Sequence, residues 1–334
     1  MGDAPTLKLV SGTETPERSL RPPPARREWR SLRVISVGGG KGGIGKSLVS
    51  ANLGIELARR GKRVVLVDAD LGGANLHTCL GVDPPRRSLS DFIERRVELI
   101  EDVVTPTGIP NLGLVSGAMD NLEAANPRHA QKMRLLRHVQ TMDVDFAILD
   151  LGAGTHLNVL DFFLVSDHGV LVLVPEPTAV ENAYRFIKAA FWRRMRNAAS
   201  VFGYDSLLRS VMASGTFKSP VELVAALGQR DPEARAVLSR QLRSFRPRLV
   251  VNQARTPQDA EIGHAVVSAW RKYFGLEMDY LGYIDFDAEM WRTVRARRPL
   301  LVEQPESAAA KAFGRIADGL LALDAASARA GSGE

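Results

Sequence analysis

An apolar run, residues 32–37, passes directly into Gly38-Gly39-Gly40-Lys41-Gly42-Gly43-Ile44-Gly45-Lys46-Ser47 and from there into a segment of helical periodicity, residues 46–60. Nothing else in the chain restricts the fold so tightly. Gly40 to Ser47 satisfies the spacing G-x-x-x-x-G-K-(S/T), with Gly40, Gly45, Lys46 and Ser47 at the fixed places. Glycines let the backbone curl until its N–H groups point at phosphate oxygens, and the helix that begins near Lys46 adds the positive end of its dipole. In that setting Lys46 neutralises the β- and γ-phosphates of a nucleotide, and the Ser47 hydroxyl ligates Mg²⁺. A loop of this kind needs a buried parallel strand before it and a helix behind it.

The remaining pattern meets that demand. Residues 63–68, 146–150, 169–174, 248–252 and 279–284 are near-continuously apolar, as strands covered on both faces are. Helical patterns at 46–60, 178–195 and 258–274 lie between them. The order predicts an α/β fold, doubly wound, with a mostly parallel sheet and helices on both faces. More than seventy residues separate the strand at 169–174 from the one at 248–252, where a single crossover helix needs far fewer. The excess, about residues 196–247, has helical patterns at 220–228 and 232–243 and reads as a helical insertion. It is expected to cap the sheet beside the nucleotide cleft and to offer Arg243, Arg246 and Arg248 around Phe245 as a contact surface.

Two flanking segments read as disordered tails. Residues 1–30 carry Pro22, Pro23 and Pro24 among Arg18, Arg21, Arg26, Arg27 and Arg30, and residues 326–334 are low in apolar content. The folded domain is expected over 31–325. No run approaches the ~18 apolar residues of a membrane span, and the N-terminal segment lacks a signal-like apolar core, so a cytoplasmic location is expected. Cys79 is the only cysteine, which excludes disulfide frameworks, Cys-rich zinc sites and a cluster held by several cysteines of one chain. The net charge of +6 permits contact with nucleic acid or an anionic membrane without establishing either.

Three carboxylates fall at strand ends. Asp68 and Asp70 close the second strand within Asp68-Ala69-Asp70-Leu71-Gly72-Gly73-Ala74-Asn75, on one side of it by alternation, and Asp150 closes 146–150 ahead of Gly152 and Gly154. The carboxyl ends of parallel strands stand beside the first loop, where ligands collect. For Asp68 two readings are open: support of a Mg²⁺ shell or of the lysines, or a buried acid that caps the following loop.

With Lys41 the loop reads KGGIGKS, which resembles the deviant Walker A motif, KGGxGK(S/T), of the MinD/ParA family of dimeric ATPases. The segment VPEPTAVENAY at 174–184 is most similar to the flagellar-number regulators of that family, the FlhG/FleN branch. The resemblance implies a P-loop NTPase fold with ATP, ADP and Mg²⁺ as cofactors. It implies that Gly40, Lys41, Gly42, Gly43, Ile44, Gly45, Lys46, Ser47 and Leu48 hold the nucleotide. Lys41 reaches across a homodimer to the partner's phosphates, and Asp70 orients the attacking water. Ser47, Asp68 and Asp150 serve the metal, with Asp150 as the Walker B carboxylate. Asn252, in LVVNQART, is implied as the adenine contact, its amide pairing with the base edge. The implied function is a Mg-ATP-dependent dimerising switch that positions a cellular structure or sets its number, resetting by slow, partner-stimulated hydrolysis. A protein activator or cargo is implied as partner. The alternative is a nucleoid-binding partition-type ATPase that binds DNA non-specifically as an ATP dimer. Peripheral recruitment to a membrane or cell pole belongs to the first reading.

Two amphipathic segments bear on those surfaces. Between Glu181 and Asp205 the chain carries Arg185, Lys188, Arg193, Arg194 and Arg196 without an acid, around an apolar stripe of Tyr184, Ile187, Phe191, Met195, Ala198 and Phe202. Such a helix lies on a membrane or DNA, or simply covers the sheet. Residues 309–324, with Phe313, Ile316, Leu320 and Leu323 and few mixed charges, read as a helix docked on the core.

Overall fold

The computed structural model describes residues 32–70, 73–117, 129–217 and 219–331. The expected tail at 1–30 lies outside the described residues, as do Leu71 and Gly72 of the carboxylate motif. From Leu32 onward the chain forms one compact unit.

Strand β1 (Arg33–Gly38) leads into helix α1 (Lys46–Arg59), and β2 (Val64–Ala69) follows. Short helices α2 (Leu76–Cys79) and α3 (Leu89–Ile93), a 3-10 turn, then β3 (Val104–Pro106) and β4 (Leu112–Val115) come next. Helix α4 (His129–Thr141), β5 (Phe146–Leu151), α5 (Leu157–Val165) and β6 (His168–Leu173) precede the long α6 (Pro177–Val201). Then come α7 (Asp205–Ala213), α8 (Pro220–Arg230), α9 (Pro232–Arg243), β7 (Arg248–Ala254), α10 (Pro257–Phe274) and β8 (Asp279–Asp285). The chain closes with α11 (Ala288–Arg295), α12 (Leu300–Glu303) and α13 (Ala308–Gly331).

Among the described residues the eight strands form one sheet in the order β3-β4-β2-β5-β1-β6-β7-β8, parallel throughout except for β3 against β4. Alternation along each strand divides the core between the two faces. Val34, Val65, Val67, Ala147 and Leu149 face the layer of α4, α5, α6 and α10, while Ile35, Val64, Leu66 and Ile148 face that of α1 and α13. The six strands read from sequence are all present. The pair β3 and β4 was not anticipated, because three and four residues carry too little pattern to separate a strand from a loop.

Helix α6 covers the sheet with Ala183, Phe186, Ile187, Phe191, Met195 and Ala198 buried, so most of its stripe is core, while Tyr184 and Phe202 at its two ends are exposed. Arg185, Lys188 and Arg196 face solvent, and Arg193 and Arg194 are half-buried. Helix α13 likewise buries Ala309, Phe313, Ile316 and Leu320. It runs past the expected boundary at residue 325 to Gly331, continued by the helix-favouring alanines of that stretch. Among the described residues no helix is long and apolar enough to cross a membrane.

The insertion departs from expectation in position. Helix α6 of 25 residues is about 37 Å long, against about 20 Å for a six-residue strand, so it carries the chain past the sheet before the insertion begins. Helix α9 therefore packs on the far half of α6, where Arg194 Nε donates to the Gln241 carbonyl at 2.8 Å, and Phe245 packs on Trp270 near the end of α10 at 6.1 Å. These helices lie toward the edge where the strands begin, away from the loop at Gly40–Ser47. Part of the expected contact surface is spent internally, since Phe245 is buried and both Arg246 and Arg248 pair with Asp279, while Arg243 is exposed.

At that same edge His168 opens β6 fully buried, with Nε2 3.8 Å from Asp324 of α13 and with Arg33 and Arg248 as its charged neighbours. Burial, reinforced by the two arginines, pulls its pKa down to about 4 from an ordinary 6.5. The folded state therefore resists protonation of His168. Its contribution is intact above pH 6.5 and is lost as pH falls toward 4, at about 1.4 kcal/mol for each pH step between those two values. We expect urea unfolding at pH 7 and pH 4.5 to show that His168→Leu loses about 2 kcal/mol less stability over this interval than the parent chain.

Candidate functional site

The strand order reverses at β1, whose neighbours are β5 and β6, and the loop between β1 and α1 opens at the carboxyl ends of the strands. Gly45 takes φ +87° as the cap residue of α1, a left-handed conformation suited to glycine. A Cβ there would lie 2.4 Å from Asn252 Nδ2, and one at Gly40 would lie 2.1 Å from the Asn182 carbonyl of α6. Both glycines are thus fixed by close approach. By contrast, Gly42 and Gly43 face open space, and Gly43 is also left-handed at φ +77°. The tip of the loop is an open cradle, held from behind.

Asn252 is one of the parts that hold it. The side chain is 2% exposed, and its Nδ2 donates to the Ile44 carbonyl at 2.8 Å. Its first task is to fasten the phosphate loop to β7, a contact that sequence spacing did not reveal because the two residues are 208 apart. Any contact with adenine falls to the rest of the same amide. The next residue, Gln253, turns left-handed at φ 60° where β7 slips register against β8.

Asp150 lies at the end of β5 beneath the loop, opposite Asp68 of β2 in register. It accepts from Ser50 Oγ at 2.8 Å and from the Ser47 hydroxyl. Burial raises its pKa to about 6, against the pull of the two serines and Lys46. Asp68 is fully buried and accepts from the backbone N–H groups of Asp70 at 3.2 Å and Leu76 at 3.0 Å. Burial, then the charge of Asp150, lifts its pKa to about 7. Both donors belong to the segment that follows β2, as the loop-cap reading of Asp68 expects. Lys46 is buried, and burial lowers its pKa while Asp150 and Asp70 pull the other way. Asp70 is half-buried against the segment after β5, where a Cβ on Gly152 would come within 3.0 Å of its Oδ1. Leu151 is buried in β5.

Lys41 stands apart from this buried group. Its side chain is 42% exposed, and among the described residues its Nζ pairs with the exposed carboxylate of Glu176 at 3.4 Å, just ahead of α6. Glu176 and Ser50 were not singled out from sequence. Glu176 lies within the segment VPEPTAVENAY, whose likeness to relatives carried no role for any single residue.

The residues present fit Mg²⁺ bound with a nucleotide. No cluster of three or more His, Cys, Asp or Glu able to hold a metal exists among the described residues. Mg²⁺ at a phosphate loop needs none, since it keeps waters and takes its other ligands from phosphates and one hydroxyl. Ser47 would supply that hydroxyl, and Asp150, which accepts from it, would stand beside the ion. When bound, the ion neutralises charge on the phosphates.

The model of the ParA family, described as the NUBPL iron-transfer P-loop NTPase, matches residues 31–199, just over half of the chain. The chain belongs to the ParA family of P-loop NTPases. Membership in the ParA family makes ATP and Mg²⁺ its ligands. The antiactivator FleN of Pseudomonas aeruginosa is 28% identical over 86% of this chain and 85% of its own length. The septum site-determining protein MinD of Synechocystis is 34% identical over 46% of this chain and 58% of its own length. Among solved structures, the cell division ATPase MinD of Pyrococcus furiosus superposes with a TM-score of 0.60 at 24% identity, covering 87% of this chain and 99% of that one. MinD of Pyrococcus horikoshii, solved with Mg-ADP, has a TM-score of 0.59 at 23% identity over 86% and 96%. These structures share the fold of this ParA-family chain. The iron transfer belongs to the family model's description; this chain has one cysteine, Cys79, which is half-buried with its thiol pushed up to about 12 by burial and by Asp150 and Asp68.

Asn252→Ala should free the loop from β7. We expect calorimetry to show ATP affinity reduced about tenfold, with a loss of about 1 to 2 kcal/mol in unfolding free energy.

Proposed function

We propose that the protein is a Mg-ATP-driven dimerisation switch that regulates the position or number of a cellular structure, as its similarity to FleN and MinD supports. The observation that carries the reading is the separation of the two loop lysines. Lys46 is buried beside Asp150 and serves phosphates in its own subunit, while Lys41 lies exposed at the open tip with a single surface ion pair. An exposed pair of this kind is worth little, about 0 to 1 kcal/mol, so Lys41 leaves Glu176 readily. A cation so placed is suited to phosphates presented by a second copy of the chain, where it stabilises the charge that develops as the γ-phosphoryl group departs.

In this reading Gly40 to Leu48 cradle ATP, Ser47 and Asp150 attend the metal, and Asp68 fixes the loop that carries Asp70. Asp70 orients the attacking water. Its contact with Gly152 joins the segments after β2 and β5, so both respond to the γ-phosphate together. Hydrolysis is slow until a protein partner completes the arrangement. The partner is a protein activator or cargo; recruitment to a membrane belongs to the same reading, and non-specific DNA contact to the alternative.

Two measurements test this. Light scattering should show Asp70→Ala monomeric with Mg-ADP and dimeric with Mg-ATP, and a state indifferent to nucleotide would refute the switch. Calorimetry should show Lys46→Ala losing ATP affinity by about a hundredfold, whereas Lys41→Ala binds ATP nearly as well as the parent but neither dimerises nor turns over. Equal loss of ATP binding in both would contradict the division of labour.

A further inference from the structure

Away from the nucleotide, at the far end of α6, a groove of about 670 Å³ opens between α4, α5, α6 and the end of α9. Apolar side chains line much of it: Met133 of α4, Val165 of α5, Val201 at the end of α6 and Phe202 just beyond. All four are exposed, Val201 to 77% and Phe202 to 45%. The groove lies within the size range of ligand-binding clefts.

Its charge is one-sided. Helix α4 holds no acid, α5 holds only Asp161, and α6 holds none after Glu181. Asp161 is already shared by two cations, Lys132 Nζ at 2.7 Å and Arg193 Nε at 2.8 Å. Arg194, on the other wall, finds no carboxylate among the described residues. It donates to the Gln241 carbonyl at 2.8 Å and to Ser244 Oγ at 2.5 Å, and its guanidinium lies 5.9 Å from the Phe245 ring. Three cations thus face one acid along an apolar trough, and Arg137 and Arg196 add exposed charge on the same two helices. These side chains are pinned by hydrogen bonds or by packing, so a partner does not have to order them.

From this complementarity we infer that the groove is a docking site for an acidic amphipathic helix of a protein partner, its apolar side chains seated on Met133, Val165, Val201 and Phe202 and its carboxylates facing Arg193 and Arg194, with the exposed Arg137 and Arg196 beside them. A duplex is a poorer fit, since phosphates gain nothing from the apolar wall, and a bilayer does not enter a trough. The recognition is that of a helix in a groove, read through anchors at i, i+3, i+4 and i+7. None of these residues belongs to the phosphate loop, and the site does not depend on the nucleotide switch.

Fluorescence anisotropy on the full chain decides it, with labelled synthetic helices of about 18 residues as probes. One carries leucines at the anchor spacing with glutamates elsewhere, a second replaces the glutamates by lysines, and a third scrambles the first. The acidic amphipathic probe should bind at least about tenfold more tightly than either control, and more weakly as salt is raised. The double variant Val201→Asp with Phe202→Asp should weaken that probe by about tenfold or more while leaving ATP affinity unchanged. Both positions are exposed, and an unaltered circular dichroism spectrum confirms that the fold is retained. Equal affinity for the acidic and lysine probes, undiminished binding by the double variant, or no binding of any probe overturns the inference. Tight binding of a DNA duplex that is lost in Arg193→Ala, with the acidic probe unbound, assigns the surface to nucleic acid instead.

Discussion

Two carboxylates held side by side out of water set the terms for the nucleotide end of this protein. Asp68 and Asp150 sit opposite each other in the register of β2 and β5, both buried, and the charge of Asp150 adds to the rise in the pKa of Asp68. Burying like charges is costly unless hydrogen bonds or a cation offset it. The structure supplies hydrogen bonds to both: backbone N–H groups to Asp68, serine hydroxyls to Asp150, with Lys46 close by. What remains is an excess of negative charge directly beneath an open glycine loop. A nucleotide with its Mg²⁺ answers that excess with the ion and answers the loop with its phosphates.

The loop can be open at its tip because it is fastened behind. Asn252 holds it from β7 and the Asn182 carbonyl of α6 packs on Gly40, so strands and helices on both sides of the switch point contribute. That arrangement separates two lysines of one short loop into different environments, one buried on the carboxylates and one held by a single exposed ion pair. The difference between them is a difference of burial, and burial is what a linear motif cannot express.

Legibility in the sequence followed length and locality. The six strands legible there are near-continuous apolar runs of five residues or more, a pattern that only a doubly covered sheet explains. The short β3 and β4 offered no such run. Gly40, Gly45, Lys46 and Ser47 were legible because their chemistry is local: a turn, a dipole and a fixed spacing. Asn252 and Glu176 were not legible in the roles they hold, since each meets the loop from more than a hundred residues away. The period of the insertion shows that it is helical, yet not at which end of the sheet it lies. Its place is decided by how far α6 overshoots the strand it follows, and that requires the true end of α6 at Val201 rather than a boundary near residue 195.

That overshoot gives α6 a place at both ends of the molecule. The residue that precedes it, Glu176, holds Lys41, and its last turns carry Arg193 and Arg194 into the groove. Between these ends Phe186, Ile187, Phe191 and Met195 are locked in one core cluster, which ties the helix to α5 and β6. A helix so packed moves as a rod rather than bending, because close-packed interiors repack between discrete arrangements instead of deforming smoothly. Asp161 adds a second tie, since it joins α5, which begins just beyond Gly152 and Gly154, to Lys132 of α4 and Arg193 of α6. The walls of the groove are therefore built from the same helices whose opposite ends border the phosphate loop and the segment after β5.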